Sequence, residues 1–428
     1  MQIQHLLEIQ KIITGGMGLA RLANGMVVMV PHVLPGEQVL VEETEHKRGY
    51  ILARPLKIVR PARQRRQPAC RQYGRCGGCN LQHGSYEAQL TIKQAIIEEM
   101  ASRSGLVPAG TINPIMASPQ TRQYRYRLRL HIERNGTIGF HQCRSNTIVP
   151  VSSCLLACQP INDALAQLMK WDMGALFSEL ELHCSPADLG VSVVLGVRKG
   201  RKQIPQPLPA RILEQGDLAG LALRLGRRIE PVGNWHMLQQ DFSVSGSGHE
   251  YSLRWDCRSF FQVNPAQNQQ LVRLVLDLAG KVSGKSVLDL YCGMGNFAIP
   301  FALAGAEVHG VEVNPHAIQA ARANGERAGI CGQTRFTAMP VEKFVCATPE
   351  KKPDLILVDP PRQGLGRAAA GIARAGARRI LYISCDPATL FRDLHTITGQ
   401  GYCLVNLQPV DMFPQTAHIE TVALLEKN

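Results

Sequence analysis

No stretch of this 428-residue chain approaches the ~18 uninterrupted apolar residues of a membrane span, so no membrane partner is expected. The opening residues, MQIQHLLEIQKI, lack a basic segment, an apolar segment and a small-residue cleavage site, which predicts a cytoplasmic protein without a secretory signal. An even cysteine count is missing too. Thirteen cysteines cannot all pair within one chain, and in a reducing compartment most should be free thiols, ligands or nucleophiles. Acidic residues are in short supply, 34 against 47 lysines and arginines, leaving a net charge of +13. The excess is mostly arginine and is clustered, which points to a polyanionic partner more than to a merely soluble surface. No internal repeat occurs. The length exceeds what one compact core holds, and two or three domains are the expectation.

Residues 1–60 read as short β segments broken by glycine and proline, with MVVMVP and EQVLVEE flanking the turn LPGE, and predict a small β-barrel. From Lys47 to Arg75 ten lysines and arginines occur with no acidic residue, as in a phosphate-binding surface or a solvated linker. YEAQLTIKQAIIEEMASRSG predicts an amphipathic helix over about 86–104, with Leu90, Ala95, Ile97 and Met100 as its apolar positions. YRYRLRLHIE alternates strictly. Tyr124, Tyr126, Leu128, Leu130 and Ile132 face one way, while Arg125, Arg127 and Arg129 form a basic row suited to an RNA backbone. The segment RKGRKQIPQPLPARI reads as a surface loop, and residues 140–255 give weaker signals of strands and loops.

From about Asp256 strands and helices alternate to the end, as in a doubly wound α/β domain. GKSVLDLYCGMGNFAIPFALAG is a strand, a glycine turn and a helix; Gly293 and Gly295 let the backbone approach a ligand. The next strand ends in Glu312, placed to grip ribose hydroxyls, a pattern shared by NAD and S-adenosylmethionine sites. Two further strands deliver Asp359, in VDPPRQG, and Cys385, in YISCDPATLFRDL, to the carboxyl edge where such sheets bind ligands. A cysteine at a helix start favours the thiolate, the reactive form. An amino-group methylase would carry an aromatic residue where DPPR has Arg362.

Cys70, Cys76 and Cys79 stand at C-x5-C-x2-C spacing, with Cys143, Cys154 and Cys158 as candidates for a fourth ligand; spacing alone leaves zinc and an iron–sulfur cluster open.

FFQVNP, DLYCGMGNF, VDPPRQG, YISCDPATLFRDL and FPQTAHIETVALLEK, in this order, resemble the RNA (uracil-5-)-methyltransferases that use S-adenosylmethionine, over nearly the whole chain. The resemblance implies a Rossmann-like methyltransferase domain over 251–428, a TRAM-type OB-like barrel over 1–60 and a central domain over 61–250, with the helix near 86–104 packing on the catalytic domain. It implies Cys385 as the nucleophile and Glu420 as the proton acceptor; the residues by themselves leave His418 an equal candidate. The cofactor pattern falls on Gln262, Tyr291, Asn296, Glu312 and Asp359, and nothing carries over to Pro340. Asp386, where asparagine is usual, is expected to raise the thiol pKa. The cysteine spacing resembles the 4Fe-4S subset of the family, with Cys154 as the fourth ligand beside Cys70, Cys76 and Cys79. The implied substrate is 23S ribosomal RNA, a flipped uridine in a loop or single strand, handled by a monomer. The alternatives are transfer RNA, or a non-catalytic RNA-binding or redox-sensing protein of the same fold.

Overall fold

The computed structural model describes residues 3–108, 110–200, 208–243, 250–346 and 352–428. The first sheet comprises β1 (Gln4–Glu8), β2 (Lys11–Ile13), β3 (Met17–Arg21), β4 (Val27–Pro31), β5 (Gln38–Lys47) and β6 (Tyr50–Arg60), ordered β1-β5-β6-β4-β3-β2. Alternation in β4 and β5 buries Val28, Val30, Val39 and Val41 completely. The expected closed barrel is not formed, because β1 and β2 end the sheet without pairing with each other. Helix α1 (Tyr86–Ser104) lies against β2 instead, and Lys11 of that strand pairs with Glu99 of the helix. An edge covered by a helix has no need to close.

Helix α1 buries Gln89, Ile92, Lys93, Ile96, Ile97 and Ala101, a face rotated from the expected one, with Ala95 exposed. Two polar residues lie on the buried side because partners more than 300 residues away satisfy them. The Lys93 ammonium donates to Asp411 with both side chains fully buried, and Gln89 hydrogen-bonds Gln415.

The second sheet is ordered β13-β12-β11-β10-β7-β8-β9 and is antiparallel except for the β11–β12 pair. Its strands are β7 (Arg127–Ile132), β8 (Ile138–His141), β9 (Ile148–Pro150), β10 (Phe177–Cys184), β11 (Val191–Val197), β12 (Gly220–Leu225) and β13 (Arg228–Pro231). Helices α2 (Gln159–Leu168) and α3 (Leu208–Gln215) accompany them; α2 lies against β10 and β11, and its Ile161, Leu165 and Leu168 share one core with Leu128, Leu130 and Ile132 of β7. The expected loop at 198–212 thus gives way to a helix from Leu208, since buried Ile212 anchors it; residues 201–207 lie outside the described residues.

A hairpin of β14 (Leu238–Ser243) and β15 (Glu250–Trp255) leads to α4 (Pro265–Ala279) and the third sheet. That sheet contains β16 (Ser286–Leu290), β17 (Glu307–Glu312), β18 (Thr334–Ala338), β19 (Leu355–Val358), β20 (Arg379–Ser384), β21 (Tyr402–Val410) and β22 (Glu420–Lys427). Its order is β18-β17-β16-β19-β20-β22-β21, parallel through β20, with β22 antiparallel to both neighbours. Helices α5 (Ala298–Leu303), α6 (Pro315–Arg327), α7 (Val341–Phe344), α8 (Ala368–Arg374) and α9 (Pro387–Thr398) connect the strands. Residues 355–358 are all buried, as a parallel strand covered on both faces requires. This is a Rossmann-like α/β fold, and α1 packs against α9 in a core shared with the first sheet.

Candidate active site

Three helices begin with the same two-residue device, an amide or carboxylate cap followed by proline. Asn264 caps α4, Asn314 caps α6 and Asp386 caps α9, with Pro265, Pro315 and Pro387 following. Each cap satisfies orphan amide protons, and the proline fits where no N–H is needed. The caps stop each chain turn within two residues of Gln262, Glu312 and Cys385, so local sequence alone holds these three near helix starts.

Sheet topology then gathers the reactive groups. Ser384 pairs with Thr421 in the antiparallel β20–β22 ladder, which sets Cys385, one residue beyond β20, beside Glu420, the first residue of β22. Side chains so placed have Cβ atoms ~5 Å apart. Asp359 follows β19, next to β20, and its amide donates to the Leu290 carbonyl. Tyr291 and Glu312 close the row at the ends of β16 and β17, and the Glu312 carboxylate accepts the Asn314 amide at 2.7 Å. Tyr291 has a left-handed φ of +64°, beside Gly293 at +54° and Gly295 at +94°. At Gly295 a Cβ would stand 2.8 Å from Ile299, so this close approach of turn and helix tolerates no side chain.

The electrostatics of the row are unusual. Burial and the Asp359 charge hold the Glu420 carboxyl well above the usual range, and burial pushes Asp359 up to about 7. Burial, then the Glu420 and Asp359 carboxylates, push the Cys385 thiol up to about 12, with Arg362 pulling the other way. The expected thiolate-favouring helix start is therefore overridden. Asp386 accepts the Ala388 and Thr389 amides at 2.9 and 3.1 Å and saturates that helix end itself, and its effect on the thiol comes behind the other two carboxylates. His418 is exposed and contacts Arg362 at 3.5 Å, whereas Glu420 is buried.

Sequence reasoning missed Asp289. This carboxylate is 1% exposed one residue before the end of β16, neither oxygen has a hydrogen-bond partner among the described residues, and burial with the Asp359 charge raises its pKa well above the ordinary value. The available signal was a lone acid inside an otherwise apolar strand, VLDL. Such an orphaned acceptor beneath a glycine turn fits a ligand bearing ammonium or hydroxyl donors. Of the other expected cofactor residues, Gln262 is buried, and Asn296 exchanges two amide hydrogen bonds with Asn268 at 2.8 and 3.1 Å.

The arginine row is placed differently from the other candidates. Arg129 pairs with Glu179 at 2.7 Å and Arg127 with Glu181 at 3.3 Å, so much of their charge is met within the protein. Arg125 lies over the Phe413 ring, 5.9 Å from its centre.

The expected 4Fe-4S site is overturned. Among the described residues no group of three or more His, Cys, Asp or Glu is disposed to hold a metal ion. Cys70, Cys76, Cys79 and Cys154 line a cavity of about 230 Å³ with Leu128, Phe140 and Val151. Burial raises the Cys76 and Cys154 thiols and takes Cys79 to about 12, so these sulfurs stand as neutral thiols. The cysteine spacing brings the residues round one cavity without making a ligand set, and with it falls the assignment to the iron–sulfur subset.

Comparison with known proteins agrees with the fold. The profile of the family "tRNA (Uracil-5-)-methyltransferase" matches residues 231–428. A 23S rRNA (uracil(1939)-C(5))-methyltransferase of Shewanella sp. (strain MR-7) is 32% identical over 418 residues, 96% of this chain and 93% of its own. The enzyme of that description from Haemophilus parainfluenzae (strain T3T1) is 33% identical over 98% of this chain and 96% of its own. The crystal structure of Pyrococcus abyssi tRNA (uracil-54, C5)-methyltransferase in complex with S-adenosyl-L-homocysteine superposes with a TM-score of 0.73. It has 26% identity and covers 99% of this chain and 100% of that one. The chain belongs to the RNA (uracil-5-)-methyltransferase family and is an enzyme of that class.

Proposed function

We propose that the row Asp359–Cys385–Glu420 methylates carbon 5 of an RNA uridine through a transient bond between Cys385 Sγ and carbon 6. The observation that carries this reading is the β20–β22 register, which sets a cysteine and a buried carboxyl side by side at the ligand-binding edge of the sheet. Carbon 5 of uracil is a weak nucleophile. Addition of the thiolate to carbon 6 moves the ring electrons toward carbon 4 oxygen and makes carbon 5 an electron donor. S-adenosylmethionine, when bound, supplies an electrophilic methyl group. Glu420, held as the neutral acid at rest, gives its proton to solvent before this step; its carboxylate then takes the carbon 5 proton, and the electrons of that C–H bond expel the Cys385 thiolate.

The raised thiol pKa means that Cys385 rests as a neutral thiol and must lose its proton as the nucleotide arrives. Asp359, near 7, is the neighbouring group able to take it at neutral pH, and Arg362 favours the anion that forms. Glu312, Tyr291, Gln262 and Asn296, with Asp289 beneath the turn, would hold the cofactor, and exposed Val313 and Met339 offer apolar surface beside Glu312. Glu420, not His418, is the proton acceptor, because only Glu420 is enclosed next to the sulfur.

The target uridine must leave its stack to reach the crevice, so a loop or single strand is the substrate. The curated relatives' names support 23S ribosomal RNA; the family description and the solved relative's name support transfer RNA. Methylation of both RNAs in vitro, followed by mass mapping, divides the two. The chemistry has its own test. RNA containing 5-fluorouridine has no carbon 5 proton to give up, and it should trap a covalent adduct with the wild-type protein and none with Cys385→Ala. Undiminished methyl transfer by Cys385→Ala would sink the scheme.

A further inference from the structure

A cavity of about 830 Å³, lined by none of the row of reactive groups, lies between the chain near Arg66, the segment 120–126 and the start of α2. Its lining has a consistent chemistry. Among the described residues none of its side chains is acidic, while it contains Arg66, Arg122 and seven glutamines. Gln67, Gln120, Gln123 and Arg122 are exposed, and Arg66 donates to the carbonyls of Arg63 and Arg65. Tyr126 adds an aromatic ring to the wall. Guanidinium groups suit phosphate, and a primary amide presents a donor and an acceptor together, the pairing that the edge of a nucleobase matches. A cation finds no carboxylate here, and an apolar ligand would strand the amides.

The wall is also built to hold its shape. Gln123, Leu189 and Gln415 line the cavity with left-handed φ values of +54°, +62° and +71°. Gln415 is fixed at both ends of its amide: its Nε2 donates to the Thr121 carbonyl at 3.2 Å, and its Oε1 accepts from Gln89 at 3.0 Å. Its backbone carbonyl accepts from Asn80 and Leu81. The same loop runs on to Glu420, five residues later. One wall of the cavity is thus the lead-in to the proton acceptor.

We propose that this cavity receives an unpaired nucleotide of the substrate RNA other than the target uridine, its base edge read by Gln120 and Gln123 and its phosphate held by Arg122. The inference rests on the RNA reading above and adds a second point of recognition. A strand anchored here is pinned against the loop that carries Glu420, so docking and presentation of the uridine are fixed by one segment.

The test is equilibrium binding of fluorescein-labelled 12-nucleotide A, U and C oligomers to the full chain. The variants are Arg122→Ala and the double change Gln120→Ala with Gln123→Asn; asparagine tolerates the left-handed φ at 123. The expected result for Arg122→Ala is a similar loss for all three oligomers and a salt dependence shallower by about one ion. The glutamine pair should weaken at least one oligomer selectively, by about 5-fold or more. A selective change below threefold, an equal change in all three, or no binding by the wild type overturns the proposal. The two readings fail separately. Selective oligomer binding without a 5-fluorouridine adduct removes the methylation reading alone, and an adduct with indifferent oligomers removes the cavity alone.

Discussion

The second and third sheets each have seven strands, and each carries buried glutamate, yet they treat it in opposite ways. On β10, Glu181 is 1% exposed, and Arg224 reaches it at 2.8 Å and Arg127 at 3.3 Å. Burial alone would raise its pKa, but the nearby His183 at 3.4 Å, the Arg224 hydrogen bond and the Arg127 charge outweigh it and hold the carboxyl well below the usual range. On β22, Glu420 is 2% exposed with only Arg362 opposing burial and Asp359, and it is held well above that range. One glutamate is a charged brace and the other a protonated reserve. The difference lies in whether the fold supplies cations, since a buried charge without them is costly.

The same substitution at the two positions breaks the comparison if it is wrong. Glu420→Gln exchanges a carboxyl that rests neutral for a neutral amide, so the melting temperature should hold or rise while turnover to free methylated RNA falls by about 10²–10⁴-fold. The Cys385 adduct should still form and then accumulate on RNA, because the carbon 5 proton has no acceptor; gel analysis of trapped complex reads this. Glu181→Gln should do the reverse. It leaves Arg127 and Arg224 without their shared carboxylate and should cost about 2–3 kcal/mol in denaturant unfolding, a figure reduced from that of a fully buried pair because both arginines are partly exposed. Its rate per folded molecule should match the wild type.

The smallest effect concerns Asp289. Its folded-state pKa lies above the unfolded one, so its contribution to stability is fully present below the ordinary carboxylate range and is lost as pH rises through the raised value. Asp289→Asn removes that dependence. The variant should gain on the wild type by roughly 1 kcal/mol between pH 5 and pH 6, read as a difference in thermal unfolding, while binding S-adenosylmethionine more weakly. A pH-independent difference would mean that Asp289 is already compensated.

How much of this was legible beforehand depended on how local the cause was. The third sheet was readable because its strands are short apolar runs and its helices start with their own caps, so Glu312, Asp359 and Cys385 could be placed at one edge from sequence. Asp289 escaped because an acid inside an apolar strand shows its lack of partners only after folding. The apolar face of α1 was mistaken because Lys93 and Gln89 are buried by Asp411 and Gln415, which hydrophobic periodicity cannot see. The cysteine spacing misled for a related reason: nearness in the chain predicts a shared cavity but not a set of thiolates turned to one ion.

By itself, then, the amino-acid order determined the strands, the capped helix starts and the identity of the groups at the sheet edge, since these follow from side-chain period and hydrogen bonds spanning a few residues. Tertiary structure alone decided the charge each group carries, the open edge of the first sheet and the glutamine-lined cavity. Those depend on desolvation and on partners brought together from opposite ends of the chain, and no local stretch of sequence encodes either.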